Sequence, residues 1–91
     1  IYCAPCHDYS GHGEGAVHQA ALALAAVSKA IWTKPANLHD ERIRTKVPDG
    51  ELFQTISKGK ITMPGYAAQI SAEDRWAIVL YVRALQMSQQ P

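Results

Sequence analysis

The stretch that most constrains this chain is Cys3-Ala4-Pro5-Cys6-His7, which holds both of its 2 cysteines. A disulfide between positions this close would close a loop too small to staple a fold. The pair is therefore read as chemistry rather than as scaffolding. C-x-x-C-H is the covalent attachment signature of c-type haem. The reason is geometric: two thiols at this spacing reach both vinyl groups of one haem as thioethers, and the adjacent imidazole lies under the iron as proximal ligand. Two other readings stand beside it. C-x-x-C alone serves a thioredoxin-like redox pair, but that expects a strand before it and a βαβ unit around it, and no strand is legible here. Half of a zinc site needs four ligands in all, and His7, His12, His18 and His39 make no second compact pair.

Length and composition bound the rest. The 91 residues, 47% of them hydrophobic, suffice for one small core and not for two. A single domain over 1–91 is expected. The formal net charge of +1 is too weak a bias to argue for nucleic acid, which requires a strongly basic face. The longest apolar run, Trp76 to Val82, falls far short of the roughly 18 residues of a membrane span. The chain opens on Ile1 without Met, so a processed or truncated start is expected.

Local patterns predict an all-α chain. Residues 8–16 hold Gly11, Gly13 and Gly15 and read as a loop. The Ala- and Leu-rich stretch 17–31 predicts a helix, stopped at Lys34-Pro35. A short charged helix is expected within 36–48, ended by Val47-Pro48. A helix over 49–58 takes Asp49 as its N-cap, with Gly59 as its left-handed stop. Residues 60–70 are expected to be a loop, because Met63-Pro64-Gly65 disfavours regular structure. Ser71 with Asp74 resembles a capping box and opens a last helix over about 72–87. That helix is apolar on nearly every side, so burial on more than one face is expected. His12, His18 and His39 are read as surface residues.

A c-type electron carrier needs a second axial ligand, and thioether sulfur is the usual partner of histidine. The chain has 2 methionines. Met87 lies in the polar tail of the last helix and reads as packing. Met63 lies in the loop Thr62-Met63-Pro64-Gly65-Tyr66, where a side chain is free to turn toward a flat cofactor.

On these residues the chain resembles class I cytochromes c. The matching elements are CAPCH at 3–7, the Gly-rich loop, KPANL at 34–38, the helix at 49–58, TMPGY at 62–66 and the last helix with Tyr81. More narrowly, GKITMPGYAAQISAEDRWAIVLYVRALQ is similar to the monohaem cytochrome c subunit of bacterial alternative complex III. The resemblance implies a small class I fold wrapped around one haem c, bound through Cys3 and Cys6, with His7 and Met63 as axial ligands. It implies that the carbonyl of Pro35 accepts the second N–H of the proximal imidazole. Trp32, Leu38, Leu52, Phe53, Ile56, Tyr66, Ile70, Trp76 and Leu80 become candidates for the haem pocket or the core. Tyr66 and Trp32 are further candidates to bond the propionates.

The resemblance implies electron transfer by Fe(III)/Fe(II) cycling rather than enzymatic catalysis. It implies redox protein partners: a quinol-oxidising complex as donor, and a terminal oxidase or another cytochrome as acceptor. It implies a periplasmic or otherwise extracytoplasmic location. The alternative is a haem domain with an open sixth position that binds a small ligand or supports catalysis. Members of the family carry a helix before the haem motif, whereas only Ile1 and Tyr2 precede Cys3 here. The N-terminal helix is thus expected to be truncated and the chain to be part of a longer one. Ordering so short a chain costs more than a small core readily offsets, so the apo chain is expected to be largely unfolded.

Overall fold

The computed structural model describes residues 1–28 and 34–88, with backbone alone for 24–28. The chain divides into two compact units, Ile1–Leu38 and His39–Pro91.

The first unit begins with the single helical turn α1 (Ala4–His7). Pro5 is tolerated there because first-turn amides have no partner within the helix. The turn is closed by bonds from His7 N–H to Cys3 O (2.9 Å) and from Asp8 N–H to Ala4 O (2.8 Å). Asp8 ends it at φ 59, a region that side chains other than glycine rarely adopt. The glycine loop follows, and then α2 (Ala16–Ser28). It matches the helix expected over 17–31 as far as Ser28; residues 29–31 lie outside the described residues.

Gly15 is what lets α2 start where it does. Its N–H donates to Cys6 O at 2.8 Å, and a Cβ there would stand 2.2 Å from Pro5 O. The start of α2 is thereby pressed onto α1. His18, one turn further on, is 2% exposed, which corrects its reading as a surface residue.

The second unit opens with α3 (Glu41–Lys46), where the Asp40 carboxylate accepts the Arg42 N–H at 2.9 Å. Next comes α4 (Asp49–Lys58). Its N-cap is Pro48 and not the expected Asp49, which is the first helical residue. The Asp49 carboxylate instead pairs with Arg83 Nε at 2.8 Å. Gly59 ends α4 at φ 82, with its N–H on Thr55 O.

The expected loop over 60–70 contains a minimal antiparallel ladder, β1 (Gly59–Lys60) with β2 (Met63–Pro64), pairing Lys60 with Met63 and Gly59 with Pro64. Proline has no N–H to give a ladder, so the exchanged bonds fall to the Lys60–Met63 pair. The final helix α5 (Ala72–Ser88) is opened as expected, with Ser71 Oγ accepting the Asp74 N–H at 3.2 Å.

The core of this unit is Ile43, Val47, Ile56, Ile70 and Val79, the last only 1% exposed. Arg83 stitches it together from α5. Its guanidinium donates to Ile43 O at 3.0 Å, to Val47 O, and to Gln86 Oε1 at 3.1 Å. The carbonyls at the end of α3 thereby gain donors they lack within the helix. The expectation that α5 is buried on several faces is corrected. Val79 and Gln86 face inward, whereas Leu80 is 68% exposed and Tyr81 61%. In this unit α4 lies along one side of α5, so an apolar pattern around the whole helix does not bring burial all round.

Candidate functional site

In the first unit, Cys3, Cys6 and His7 sit on or beside one helical turn, and all three are half-buried. Both thiols are free. Burial pushes the Cys3 thiol up from its ordinary value, and nearby Cys6 adds to this. The thiol is thus the neutral form at Cys3 at neutral pH.

The His7 ring is fixed from outside the motif. Its Nδ1 lies 3.0 Å from the carbonyl oxygen of Ala36. A carbonyl only accepts, so Nδ1 carries the proton and donates. In the neutral ring Nε2 then holds the lone pair, the form in which imidazole binds a metal. The resemblance assigned this acceptor to Pro35. The structure gives it to the next residue, Ala36, and this corrects the assignment by one position. Here the Pro35 carbonyl is turned toward Gly13, where a Cβ would stand 2.5 Å from it.

Asp8 follows the motif directly. Its Oδ1 accepts from Ser10 N (2.8 Å), Ser10 Oγ (2.7 Å), Gly11 N (2.8 Å) and His12 N (3.3 Å), and its Oδ2 accepts from Glu14 N at 3.1 Å. The Ser10 hydroxyl bond, joined by the backbone N–H bonds, holds the Asp8 carboxyl well below the usual carboxylate range. Glu14 forms an ion pair with Lys34 at 2.7 Å. That bond and the Lys34 charge lower its pKa as well.

In the second unit, Met63 is half-buried in β2. The two-residue turn before it carries Ile61 at φ 54. A β-branched residue in that region is strained, and glycine is the usual choice at the corresponding position of a tight hairpin. Behind Met63 the chain is fastened to α4. Tyr66 N–H donates to Ile56 O at 2.8 Å and Ala67 N–H to Ser57 O at 3.2 Å, both carbonyls in the last turn of the helix. Gly65 permits the approach, since a Cβ there would stand 2.6 Å from Ser57 O.

The other candidate residues separate by place. Ile56 and Ile70 belong to the core of the second unit. Phe53 stacks on Trp76 with ring centroids 4.1 Å apart, and the Arg75 guanidinium lies 4.8 Å over its ring. Leu38 is half-buried in the first unit, where its N–H donates to Gly11 O at 2.7 Å. Leu52 and Tyr66 are half-buried in the second, and Leu80 is exposed. Trp32 lies outside the described residues. The sequence reading missed Ala36 and Asp8. For Asp8 a signal was present: an aspartate shortly before Ser10 and Gly11 is a common turn former whose side chain bonds backbone amides just ahead of it.

The donor set fits a covalently held haem. It offers two free thiols on one turn and an imidazole whose tautomer is set for coordination. Among the described residues no three His, Cys, Asp or Glu side chains gather into a metal cluster. Cys6 lies in a helical turn, and Cys3 directly before it.

Helices dominate the described residues, and together with the attachment motif they define a c-type cytochrome domain of the class I fold. Comparison with protein families agrees. Residues 1–82 match the family described as cytochrome c oxidase, cbb3-type, subunit III, and the chain belongs to it. Its activity is haem-based electron transfer. A search of curated proteins found no match.

Proposed function

We propose that this domain relays single electrons through one haem c, attached through Cys3 and Cys6 and ligated by His7 and Met63. The observation that carries the reading is the bond from His7 Nδ1–H to Ala36 O. It leaves Nε2 as the coordinating atom and holds the ring in one orientation, as partners beyond the ligand shell do at metal sites. Haem iron, when bound, supplies the Fe(III)/Fe(II) couple. The chain supplies attachment, two axial ligands and exclusion of water, all of which set the potential.

Met63 is supported by its seat between the Gly59–Lys60 pairing and the Tyr66 and Ala67 bonds to α4, which fix its backbone on both sides. Met87 is 74% exposed near the end of α5 and has no such seat. Leu38 and Tyr66, half-buried, are proposed to contact the haem, together with Pro35, Trp32, Phe53 and Ile56.

The setting we propose is a respiratory chain, in the periplasm or an equivalent compartment. The similarity of residues 59–86 to the monohaem subunit of alternative complex III supports a quinol-oxidising complex as donor. The description of the matched family, an oxidase subunit, supports a terminal oxidase as acceptor, with another cytochrome in the same role. Among the described residues no helix is long and apolar enough to cross a membrane.

The test is ligand exchange. In Met63→Ala, reduced protein is expected to bind carbon monoxide, while Met87→Ala remains closed to it. Carbon monoxide binding to unaltered protein would instead favour the open-site alternative, with sensing or catalysis at the iron.

A further inference from the structure

The residue after the haem motif is tied to the ring of His7 by a continuous set of contacts. Asp8 gathers five donors from residues 10–14 onto its two carboxylate oxygens. The loop so shaped holds the segment 34–38 at three points. Gly11 O accepts the Leu38 N–H at 2.7 Å. Gly13 lies so close to Pro35 and Ala36 that a Cβ would meet their oxygens at 2.5 and 3.1 Å. Glu14 pairs with Lys34 at 2.7 Å. From the middle of this segment the Ala36 carbonyl accepts the His7 Nδ1–H. The loop also returns to His7 directly, since Gly13 N–H donates to His7 O at 3.0 Å. Asp8 itself stands at φ 59, a strained conformation that persists only where its surroundings over-determine it.

We propose that Asp8 is a positioning residue for His7: its carboxylate folds the 10–14 loop that places the Ala36 carbonyl against the imidazole N–H. The proposal rests on the reading of His7 as the proximal ligand. Its consequence is electronic as well as structural. A firm Nδ1–H bond makes the ring a stronger donor to the metal and favours the ferric state. A loosened bond raises the reduction potential.

The experiment uses the haem-loaded protein with Asp8→Asn and Asp8→Gly. Asparagine keeps one side-chain oxygen for the donors grouped on Oδ1, but sets an NH2 against the Glu14 N–H. Glycine removes every bond and at the same time relieves the backbone at positive φ. Both remove the negative charge, so any difference between them is a matter of geometry. The readouts are hydrogen exchange of the His7 Nδ1–H in the ferrous protein by nuclear magnetic resonance, and the reduction potential. Exchange is expected to quicken by about tenfold in Asp8→Gly, the equivalent of about one net hydrogen bond, and by less in Asp8→Asn. The potential is expected to rise in the same order.

Equal shifts in the two variants would mean loss of charge alone and overturn the proposal, as would unchanged exchange in both. If Asp8→Gly takes up no haem, Ser10→Ala decides instead, since it removes the shortest bond to Asp8 Oδ1 and leaves the charge in place: quicker exchange supports the proposal and wild-type exchange overturns it. A wild-type protein whose haem lacks an imidazole ligand overturns the ligation reading and this inference with it. A normal wild type with unaffected variants overturns this inference alone.

Discussion

Among the described residues, the unit Ile1–Leu38 buries three glycines, Gly11, Gly13 and Gly15, and one histidine, His18. The unit His39–Pro91 buries Ile43, Val47, Ile56, Ile70 and Val79. The second unit thus removes apolar side chains from water, the dominant favourable term in folding. The first is shaped by backbone proximity and by hydrogen bonds around Asp8 and His7, whose net contributions are modest because water competes for the same groups. The difference teaches where a covalent apolar group matters most. The unit that carries the attachment motif is the one whose described residues bury no large apolar side chain.

This contrast can be broken most forcefully by removing the cofactor. Cys3→Ser with Cys6→Ser is expected to abolish haem attachment and most of the far-UV helical signal. The amide protection that survives should lie in 49–58 and 72–88, measured by hydrogen exchange. Full helix content in that variant would show that the first unit needs no haem.

Next come two substitutions, one in each unit. Ile43→Ala opens a cavity in the apolar core and should cost about 2–4 kcal/mol in denaturant unfolding, at the level expected for such truncations. Gly15→Ala drives a methyl group to 2.2 Å from Pro5 O and should cost about 1–3 kcal/mol, as overpacking does. Their signatures differ. Ile43→Ala is expected to leave the haem spectrum of folded protein unchanged, whereas Gly15→Ala should disturb it, because α1 must shift.

A smaller effect of opposite sign is expected at the Met63 hairpin. Ile61→Gly relieves a positive φ at an exposed position but frees the unfolded chain. The expected net gain is about 0.5 kcal/mol in thermal or denaturant unfolding, and a loss would contradict the strain assigned to this turn.

The smallest effect belongs to Glu14. Its pKa is depressed by Lys34, so its contribution is present above the ordinary value of about 4.3 and fades as pH falls through the lower folded value. Stability curves of wild type and Glu14→Gln should run parallel above about pH 5 and converge on acidification. Curves that diverge on acidification would contradict the pairing.

How much was legible in the sequence depended on whether the signal was local. Ser71 caps α5 through its own hydroxyl, and Gly59 takes the positive φ that ends α4; both are properties of a few adjacent residues. The haem motif is of the same kind. Asp49 looked equally good as a cap, but Pro48 already holds that position and Arg83, from a distant helix, takes the carboxylate. The β1–β2 ladder escaped notice because it depends on close backbone approach at Gly59 and Gly65, which no periodicity records. The acceptor for His7 fell one residue from the expected place. Which carbonyl of 34–38 faces the ring is set by the contacts of Gly11 and Gly13, not by the segment's own sequence. His18 shows the same limit: a histidine among alanines reads as surface until the fold closes over it.

The central claim is a closed, six-coordinate haem on this chain, and an absorption spectrum tests it most directly. Purified wild-type protein would be recorded oxidised, then reduced with dithionite, then under carbon monoxide. Sharp reduced bands that the gas does not move are the predicted result and place two protein ligands on the iron. Bands that shift on adding the gas would contradict the account, because the sixth position would be open and Met63 would not be holding it.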